Sequence, residues 1–437
     1  MSVGLQVAST TSLPSYHLSP TFSRTPSYTA EPQANEHRLA LTHILRPRPS
    51  GEFIKHSKHG GVSLRLTAQE DGVELPEYGS GNVVEGTITL SKPESVLSVD
   101  VKIEGVLQLK EVAEGGTTSV TLCLDKATLF SRGSSSCPAV LPFSLLLPPS
   151  FSDGRSTYPL PPTYEVHLSG LPGFRSTIEY SVSVTVGKGK AARFGLGNTT
   201  VSTHFIYHPR TRPSTPLPLP LQSGPGGFVD NPDWKVFDTI IRTKERGGKD
   251  IAQKLYIPAS RVFSLKEPIP FYLTLTSSAY SLASFLPFGP ISMSLAPGKR
   301  YTRIQVVRQS VCDVRGSVIM GTKTDIWRVD TIGEGVFRRA ADGPDWISFE
   351  GEIAVSDLIK VGGFKAGGLF VKDCIVLTLT PPKSLKCPFH DSRQVVPIRL
   401  TTDPWSIGGS GDLEGPQYSE PSDDVHAQPE LNYYYAE

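Results

Sequence analysis

The sequence has few cysteines, few methionines and no excess of either charge. Its 437 residues include five cysteines and three methionines, and 43 basic and 42 acidic residues leave a net charge of +1. The cysteines are scattered without CxxC spacing, which argues against a zinc site or a disulfide framework and favours a reducing compartment. The balanced charge gives no general attraction to nucleic acid. We therefore predict no metal, no cofactor and no nucleic-acid partner.

Long apolar segments and catalytic motifs are also missing. No stretch approaches the roughly 18 apolar residues that span a bilayer, and the N-terminus has no basic start or apolar segment typical of a secretory signal. There is no GxSxG or HExxH motif, and Gly362-Gly363 and Gly367-Gly368 lack the Lys-Ser/Thr of a phosphate loop. His204 and His208 are two ligands without a third, which favours a structural role. We expect a soluble, cytoplasmic protein that is not an enzyme.

Glycine and proline are plentiful, and the apolar residues alternate with polar ones. With 40 glycines and 38 prolines, turns are frequent and helix-forming runs are few. Period-two alternation is clear over residues 62–66, 97–104, 178–186 and 269–276. A long apolar strand from Leu369 to Thr380, preceded by a glycine-rich turn, and a strand from Val395 to Leu400 indicate a final hairpin. The pattern predicts an all-β chain of two antiparallel β-sandwich domains.

Composition divides the chain into five segments. They are a Ser/Thr/Pro-rich and then basic tail (1–59), a first sandwich (60–208), a Pro/Gly-rich linker (209–228), a second sandwich (229–402) and an acidic, tyrosine-ending tail (403–437), and we expect both tails to be disordered. In the linker, Pro213 and Pro216 form a minimal PxxP pattern, which is typical of SH3 ligands. A stiff interdomain spacer is the alternative interpretation, and the composition favours it.

Three further segments suggest contacts or modification. Residues 1–30 hold twelve Ser or Thr, and Ser19-Pro20 and Thr25-Pro26 are candidate proline-directed phosphorylation sites, with an unmodified tail as the alternative. The densest basic run, from Arg242 to Lys249, is interrupted by Glu245 and favours a solvated loop over a contact with anionic lipids. The acidic tail could lie free or dock on a basic groove.

Seven segments share a strand-like pattern with prolines or glycines at several of their ends, namely Gly81–Gly105, Leu141–Phe151 (LPFSLLLPPSF), Leu160–Gly170 (LPPTYEVHLSG), Ile178–Val186 (IEYSVSVTV), Lys254–Leu275, Arg303–Val311 and Gly351–Asp403. In their order and spacing they resemble the arrestin fold, and specifically the arrestin-like proteins of fungi related to α-arrestins. The resemblance covers roughly residues 60–403. It implies a non-catalytic cytoplasmic adaptor whose curved sheets dock on cytosolic segments of membrane proteins or on trafficking machinery, peripherally at the plasma membrane or endosomes.

The resemblance also raises the question of ubiquitin ligase recruitment. Many α-arrestins present PPxY motifs to the WW domains of a HECT-type ligase, and this chain has one match at Pro161-Pro162-Thr163-Tyr164. Because the match lies inside the first domain, packing of Tyr164 is the favoured alternative to WW binding. Receptor-binding arrestins sense phosphate through a cluster of buried charges. The candidates for such charges in this chain are Arg303, Arg308, Arg399 and Asp403, and none of them is matched to a particular residue of that cluster.

Two other functions remain open. One is an arrestin-fold coat subunit of the retromer type, which would hold a stoichiometric partner. The other is an enzyme whose site is assembled from distant residues, although the sequence offers no nucleophile–base pair or carboxylate pair for it.

Overall fold

The computed structural model describes residues 49–79, 81, 83–112, 116–133, 136–154, 156–171, 173–188, 198–291, 300–314, 324–381 and 386–406. Within these residues the chain is all-β, as predicted. The strands of residues 51–207 and those of residues 223–401 form separate sheets, and we call these two parts the first and the second domain. None of the helices among them is long or apolar enough to cross a membrane.

The first domain packs a four-stranded sheet against a six-stranded one. Its strands are β1 (Gly51–His56), β2 (Val62–Gln69), β3 (Glu77–Tyr78), β4 (Val83–Leu90), β5 (Val96–Glu111), β6 (Thr117–Ser131), β7 (Val140–Leu146), β8 (Ser150–Ser152), β9 (Thr157–Pro159), β10 (Tyr164–Leu168), β11 (Phe174–Lys188) and β12 (Thr199–Tyr207). The sheets have the orders β1-β2-β4-β7 and β3-β12-β11-β5-β6, with β10 also pairing with β11. All of these pairs are antiparallel except β12 with β3.

The core of the first domain is explained by the period-two alternation. Leu64 on β2, Ile103 on β5 and Val182 on β11 are all fully buried and belong to one hydrophobic cluster. Successive side chains of a strand point to opposite faces, so every second residue of these strands enters the space between the sheets. Each fully buried side chain of this size contributes about 1.5–3 kcal/mol.

The second domain is built on one long sheet that curls back on itself, with a separate two-stranded hairpin beside it. Its strands are β13 (Ser223–Gly224), β14 (Gly227–Phe228), β15 (Trp234–Ile241), β16 (Ile251–Pro258), β17 (Val262–Ser264), β18 (Ile269–Thr276), β19 (Thr302–Val314), β20 (Thr324–Asp342), β21 (Trp346–Val355), β22 (Phe364–Ala366), β23 (Leu369–Leu379) and β24 (Ser392–Thr401). The main sheet has the order β15-β16-β18-β21-β20-β19-β23-β24-β17, and β22 pairs with β23. Helix α1 (Ala279–Phe285) comes after β18, and the Ser278 hydroxyl caps its N-terminus.

Side chains close the gap between the ends of the curled sheet. The Gln394 amide of β24 donates to the Phe237 carbonyl of β15 at 2.8 Å, and Gln253 donates to Gln394 at 3.1 Å. A β-bridge between Thr243 and Phe389 continues the closure beyond β15. These contacts pair part of the backbone at the open edge of β15.

Three predicted boundaries need correction. Residues 51–56, predicted to belong to the N-terminal tail 1–59, form strand β1 and pair with β2. The end of the predicted linker 209–228 forms the hairpin β13–β14, and its Phe228 packs on Tyr256 and Tyr272 of the second domain. Asp403, predicted to begin the acidic tail, is buried in ion pairs. The rest of that tail, from residue 407, and Ser19 and Thr25 lie outside the described residues.

The two domains share a hydrophobic interface. Five residues of the second domain complete the core cluster of the first, namely Cys312, Ile326, Ala366, Leu369 and Val371. They lie on or beside the hairpin β22–β23, whose turn consists of Gly367 (φ 43°) and Gly368 (φ 112°). An added Cβ at Gly368 would lie 3.0 Å from Leu109 of the first domain. The predicted tight turn before Leu369 is therefore confirmed, and it is also an interdomain contact.

We expect Gly368→Ala to destabilise the protein. A φ of 112° is essentially restricted to glycine, so the variant should lose about 1–3 kcal/mol in the free energy of unfolding. Urea unfolding measures this loss. Gly247→Ala is the matched control, because that position has no neighbouring atom within 4 Å and no positive φ. Equal stability of the two variants would contradict the assigned role of the turn.

Candidate functional site at the domain interface

A cleft of ≈ 520 Å³ opens where the two domains meet. We call it the interface cleft. The first domain contributes Thr163, Tyr164 and Glu165 at the start of β10, together with His208 after β12. The second domain contributes Arg308, Arg328, Asp330, Thr331, Ile332, Ser356, Leu358, Ile359, Lys360 and Val361. The cleft therefore combines charged side chains with a partly apolar rim.

A buried ion pair forms one wall of the interface cleft. Arg308 on β19 is the direct cross-strand neighbour of Asp373 on β23. Its Nε and Nη2 atoms donate to the two Asp373 carboxylate oxygens at 2.8 and 3.0 Å, and Nη2 also donates to the Val361 carbonyl at 2.8 Å. The side chains are 5% and 0% exposed. In this bidentate geometry the attraction between guanidinium and carboxylate best offsets the free-energy cost of removing both charges from water.

The surroundings of Arg308 keep it charged. Burial by itself lowers the pKa of the guanidinium, but the Asp373 carboxylate and the nearby Tyr164 hydroxyl outweigh burial, so the pKa is raised. Arg308 is therefore a fixed positive charge that cannot exchange a proton during a reaction. Arg308 can bind an anion, and in this structure it binds the Asp373 carboxylate.

The PPTY motif lies at the same interface and is part of the folded structure. Pro161 and Pro162 are buried, and the Tyr180 hydroxyl donates to the Pro161 carbonyl at 2.6 Å. The Tyr164 ring packs edge-on against Phe364 of the second domain, with 5.1 Å between ring centroids. The Tyr164 and Ser310 hydroxyls lie 3.3 Å apart. A WW groove needs an exposed, extended motif, so these contacts would have to break before it could bind.

Two more contacts cross the interface. The Arg328 guanidinium donates to the His167 carbonyl of β10, and it also pairs with Asp330 at 2.8 Å. The Lys365 ammonium lies over the rings of Tyr158, in the first domain, and Phe370, at 4.7 and 4.8 Å from their centroids. Each such cation–π contact contributes about 0.5–1 kcal/mol at an exposed site. The interface is thus held by apolar, polar and charged contacts together.

A second charged cluster joins the linker to the end of β24. The Asp403 carboxylate accepts from Lys266 at 2.9 Å and lies 3.8 Å from Arg210 of the linker. Thr211 donates its backbone N–H to the Thr402 hydroxyl at 2.9 Å. Burial alone would raise the pKa of Asp403, but Lys266, Arg210 and Thr402 hold it below its usual value. Asp403 is therefore ionised at neutral pH and ties the linker to the second domain.

The four charges considered for phosphate sensing belong to different sets of contacts. Arg303 makes two hydrogen bonds to Glu334 at the surface, at 3.0 and 2.9 Å, whereas Arg308 is buried with Asp373. Asp403 pairs with Lys266, and the Arg399 backbone N–H donates to the Arg261 carbonyl. Arg308, Asp403 and Arg303 thus belong to three separate groups of charges.

The histidines and cysteines differ in their surroundings. His204 is exposed, and His208 contacts Glu77 at 2.9 Å, a hydrogen bond that lowers the Glu77 pKa. Over the described part of the chain, no group of three or more potential ligands could hold a metal ion. Burial raises the pKa of Cys123 and of Cys374 to about 11, so both thiols stay protonated and weakly nucleophilic at neutral pH.

Sequence inspection missed Asp373, Ser310 and Phe364, which complete the interface around Arg308 and Tyr164. A signal for Asp373 was present, because an acidic residue interrupts the apolar run of β23 just as Arg308 interrupts that of β19. Opposite charges in the middle of two apolar strands indicate that the strands are neighbours.

We expect Asp373→Ala to lower the free energy of unfolding by about 3–5 kcal/mol, because it leaves Arg308 buried without its counter-ion. The double variant Arg308→Met, Asp373→Leu should recover most of this loss, since it removes both charges. Urea unfolding of the three proteins measures the difference. Glu334→Ala, which breaks the exposed pair with Arg303, should cost at most about 1 kcal/mol. If the double variant were no more stable than Asp373→Ala, the two buried charges would not be offsetting one another.

The Asp403 cluster predicts a defined pH dependence. Because the pKa of Asp403 is lower in the folded state, its stabilising contribution is fully present above its unfolded pKa of about 3.9 and is lost as pH falls through the folded value. Asp403→Asn should therefore reduce stability at pH 7 by about 1–3 kcal/mol, with a difference from the wild type that shrinks below about pH 4. Urea midpoints between about pH 2.5 and 7 test this. A difference that is constant with pH would contradict it.

No known protein-family model matches this chain. Its function is therefore inferred from the geometry of the two domains and their interface.

Proposed function

We propose that this protein is a non-catalytic, arrestin-like adaptor that links membrane cargo to endocytic sorting or ubiquitination machinery from the cytoplasmic side. The observation that carries the proposal is the shared interface, in which second-domain residues such as Leu369 and Val371 complete the core of the first domain. The shared interface fixes the sheet surfaces of the two domains relative to one another. Partners bound to surfaces of different domains would therefore be held together.

The state of the charged groups in the interface cleft supports binding over catalysis. Arg308 is paired with Asp373, Arg328 with Asp330, and His208 with Glu77. A general base or nucleophile must present an available proton-accepting atom to a substrate. The two guanidinium groups cannot act as bases, and each is bound to a carboxylate, so we assign the cleft to stabilising the arrangement of the domains.

Strand β7 offers a surface for an extended cargo segment. It lies at the end of the four-stranded sheet, and its outward side chains alternate with buried ones. Val140 and Leu146 on its outer face are 52% and 56% exposed. An edge strand with exposed apolar side chains can add a strand from a partner, with main-chain hydrogen bonds giving affinity and side-chain pockets giving specificity.

The proposal predicts that deletion of the protein slows internalisation of at least one membrane transporter. Re-expression of the wild type or of Tyr164→Phe should restore internalisation of the transporter. The phenylalanine keeps the ring contact with Phe364, so the variant should behave like the wild type. Leu146→Glu should fail to restore it, because it places a charge on the β7 surface. Surface abundance of a panel of tagged transporters measures the effect.

Controls separate adaptor function from its alternatives. Leu358→Glu changes an 87% exposed position on the rim of the interface cleft. This variant should restore internalisation of the transporter as the wild type does. Normal traffic of every transporter tested after deletion would contradict the adaptor. Stable co-purification of a stoichiometric coat partner would instead favour the retromer-type subunit. Loss of a WW-domain ligase from a folded Tyr164→Phe protein would assign residues 161–164 as its docking motif.

A further inference from the structure

We propose that Thr215 in the linker is a phosphorylation site for a proline-directed serine/threonine kinase, and that Arg212 binds the phosphate. Residues 213–218 belong to no strand or helix. The chain bends at Ser214 and Thr215, and both side chains are exposed. Pro216, the residue after the acceptor, is exposed as well. The hydroxyl and the proline that such a kinase recognises are therefore both accessible.

The backbone around Thr215 can extend at little cost. A kinase binds the residues on either side of its acceptor in an extended conformation, so the bend must open. Within the part of the chain that the structure describes, the backbone of residues 212–218 makes no hydrogen bond to other backbone groups. Opening therefore breaks none of these bonds. Segments with few such bonds open locally with the least free energy in a folded protein.

Thr380 provides a comparison within the same chain. Four serines or threonines of the sequence precede a proline, and Thr215 and Thr380 are the two among the described residues. Thr380 is also exposed, but its backbone N–H donates to the Tyr301 carbonyl at 2.9 Å, and Pro381 is buried. A kinase can reach Pro381 only after the segment that follows β23 has separated from its neighbours. The structure therefore favours Thr215 over an equal match in the sequence.

Arg212 is placed to bind a phosphate on Thr215. It lies three residues earlier, on the other side of the bend. Its Nη1 atom donates to the Ser406 hydroxyl at 3.0 Å, and its Nε atom is buried without a hydrogen-bond partner. A guanidinium donates to phosphate oxygens in a bidentate manner, and such charge-assisted hydrogen bonds are about twice as strong as neutral ones. Phosphorylated Thr215 should therefore draw Arg212 away from the neutral Ser406 hydroxyl.

This exchange of partners releases the chain after β24. Ser406 loses its hydrogen bond to the linker, whereas Thr402 and Asp403 keep theirs to Thr211. The phosphate also adds a charge of about −1.5 to −2, and the sequence after Ser406 carries seven acidic residues and no lysine or arginine. Repulsion between these like charges acts in the same direction. Phosphorylation thus loosens the segment that follows Asp403.

The modification is a phosphoryl transfer from ATP. A bond forms between the Thr215 hydroxyl oxygen and the γ-phosphorus, and the bond from that phosphorus to the oxygen shared with the β-phosphate breaks. ADP leaves, and the hydroxyl proton passes to the catalytic aspartate of the kinase. The site does not involve strand β7, so its test is independent of the proposed cargo surface.

The first test treats the purified full-length protein with ATP and each of a panel of mitogen-activated and cyclin-dependent kinases. Mass spectrometry then locates the phosphates, and free peptides centred on the two threonines correct for the preference of each kinase. Relative to the peptides, the folded protein should favour Thr215 over Thr380 by at least about tenfold, because only Thr380 requires local opening. Absence of phosphate at Thr215, or equal modification of Thr380, would overturn the proposal.

The second test measures hydrogen exchange in the segment 404–406. Phosphorylated protein should exchange there faster than the untreated protein, and kinase-treated Thr215→Ala should keep the slow rate. Arg212→Met should exchange at the faster rate before any phosphorylation, because it lacks the donor to Ser406. If thermal unfolding shows that this variant is unfolded, Ser406→Ala replaces it, since it removes the acceptor at an exposed position. Unchanged exchange on phosphorylation would reject the role of Arg212.

Discussion

The arrangement of the two domains depends on the buried ion pair between Arg308 and Asp373. The pair links β19 to β23 and, through the Val361 carbonyl, holds the segment that leads to β22. The same elements carry Ser310 and Phe364, which contact Tyr164 of the first domain. The position of the Arg308 guanidinium therefore determines where Ser310 and Phe364 lie, and these two residues form part of the surface on which the first domain packs. Because both charges are shielded from water, the arrangement tolerates little displacement of either strand.

Two proline-containing motifs in this chain have different surroundings. Pro161 and Pro162 are buried, and Tyr164 lies between the domains. Of the linker prolines, Pro216 and Pro220 are exposed, whereas Pro213 and Pro218 are half-buried. The difference arises because Tyr164 begins strand β10 and must enter a sheet, whereas the linker has no sheet partner until Ser223. Sequence pattern alone identifies both motifs, but the surrounding structure decides which one a partner can reach.

The sequence predicted the fold well where one face of a strand is buried and the other is polar, as in β2, β11 and β18. It failed at β1 and at β20. The edge strand β1 is largely exposed and has no clear alternation. Strand β20 carries Glu334 and Arg338, and these charges obscure its alternation of apolar and polar residues. In the structure they form ion pairs with Arg303 and Glu352 of the neighbouring strands. The interface was equally hidden, since pairing Arg308 with Asp373 requires knowledge of which strands are adjacent and in what register.

The buried pair also explains how that register is specified. Val371 and Ile375 flank Asp373 on the same face of β23. A slip of two residues between β19 and β23 would keep every apolar side chain on its own face, so hydrophobic burial alone discriminates weakly against it. The same slip would place Arg308 opposite Val371 or Ile375 and leave two buried charges without partners. That penalty is several kcal/mol, which is comparable to the net stability of a domain. The ion pair thus discriminates against misaligned sheets, which an apolar pair at these two positions would not do.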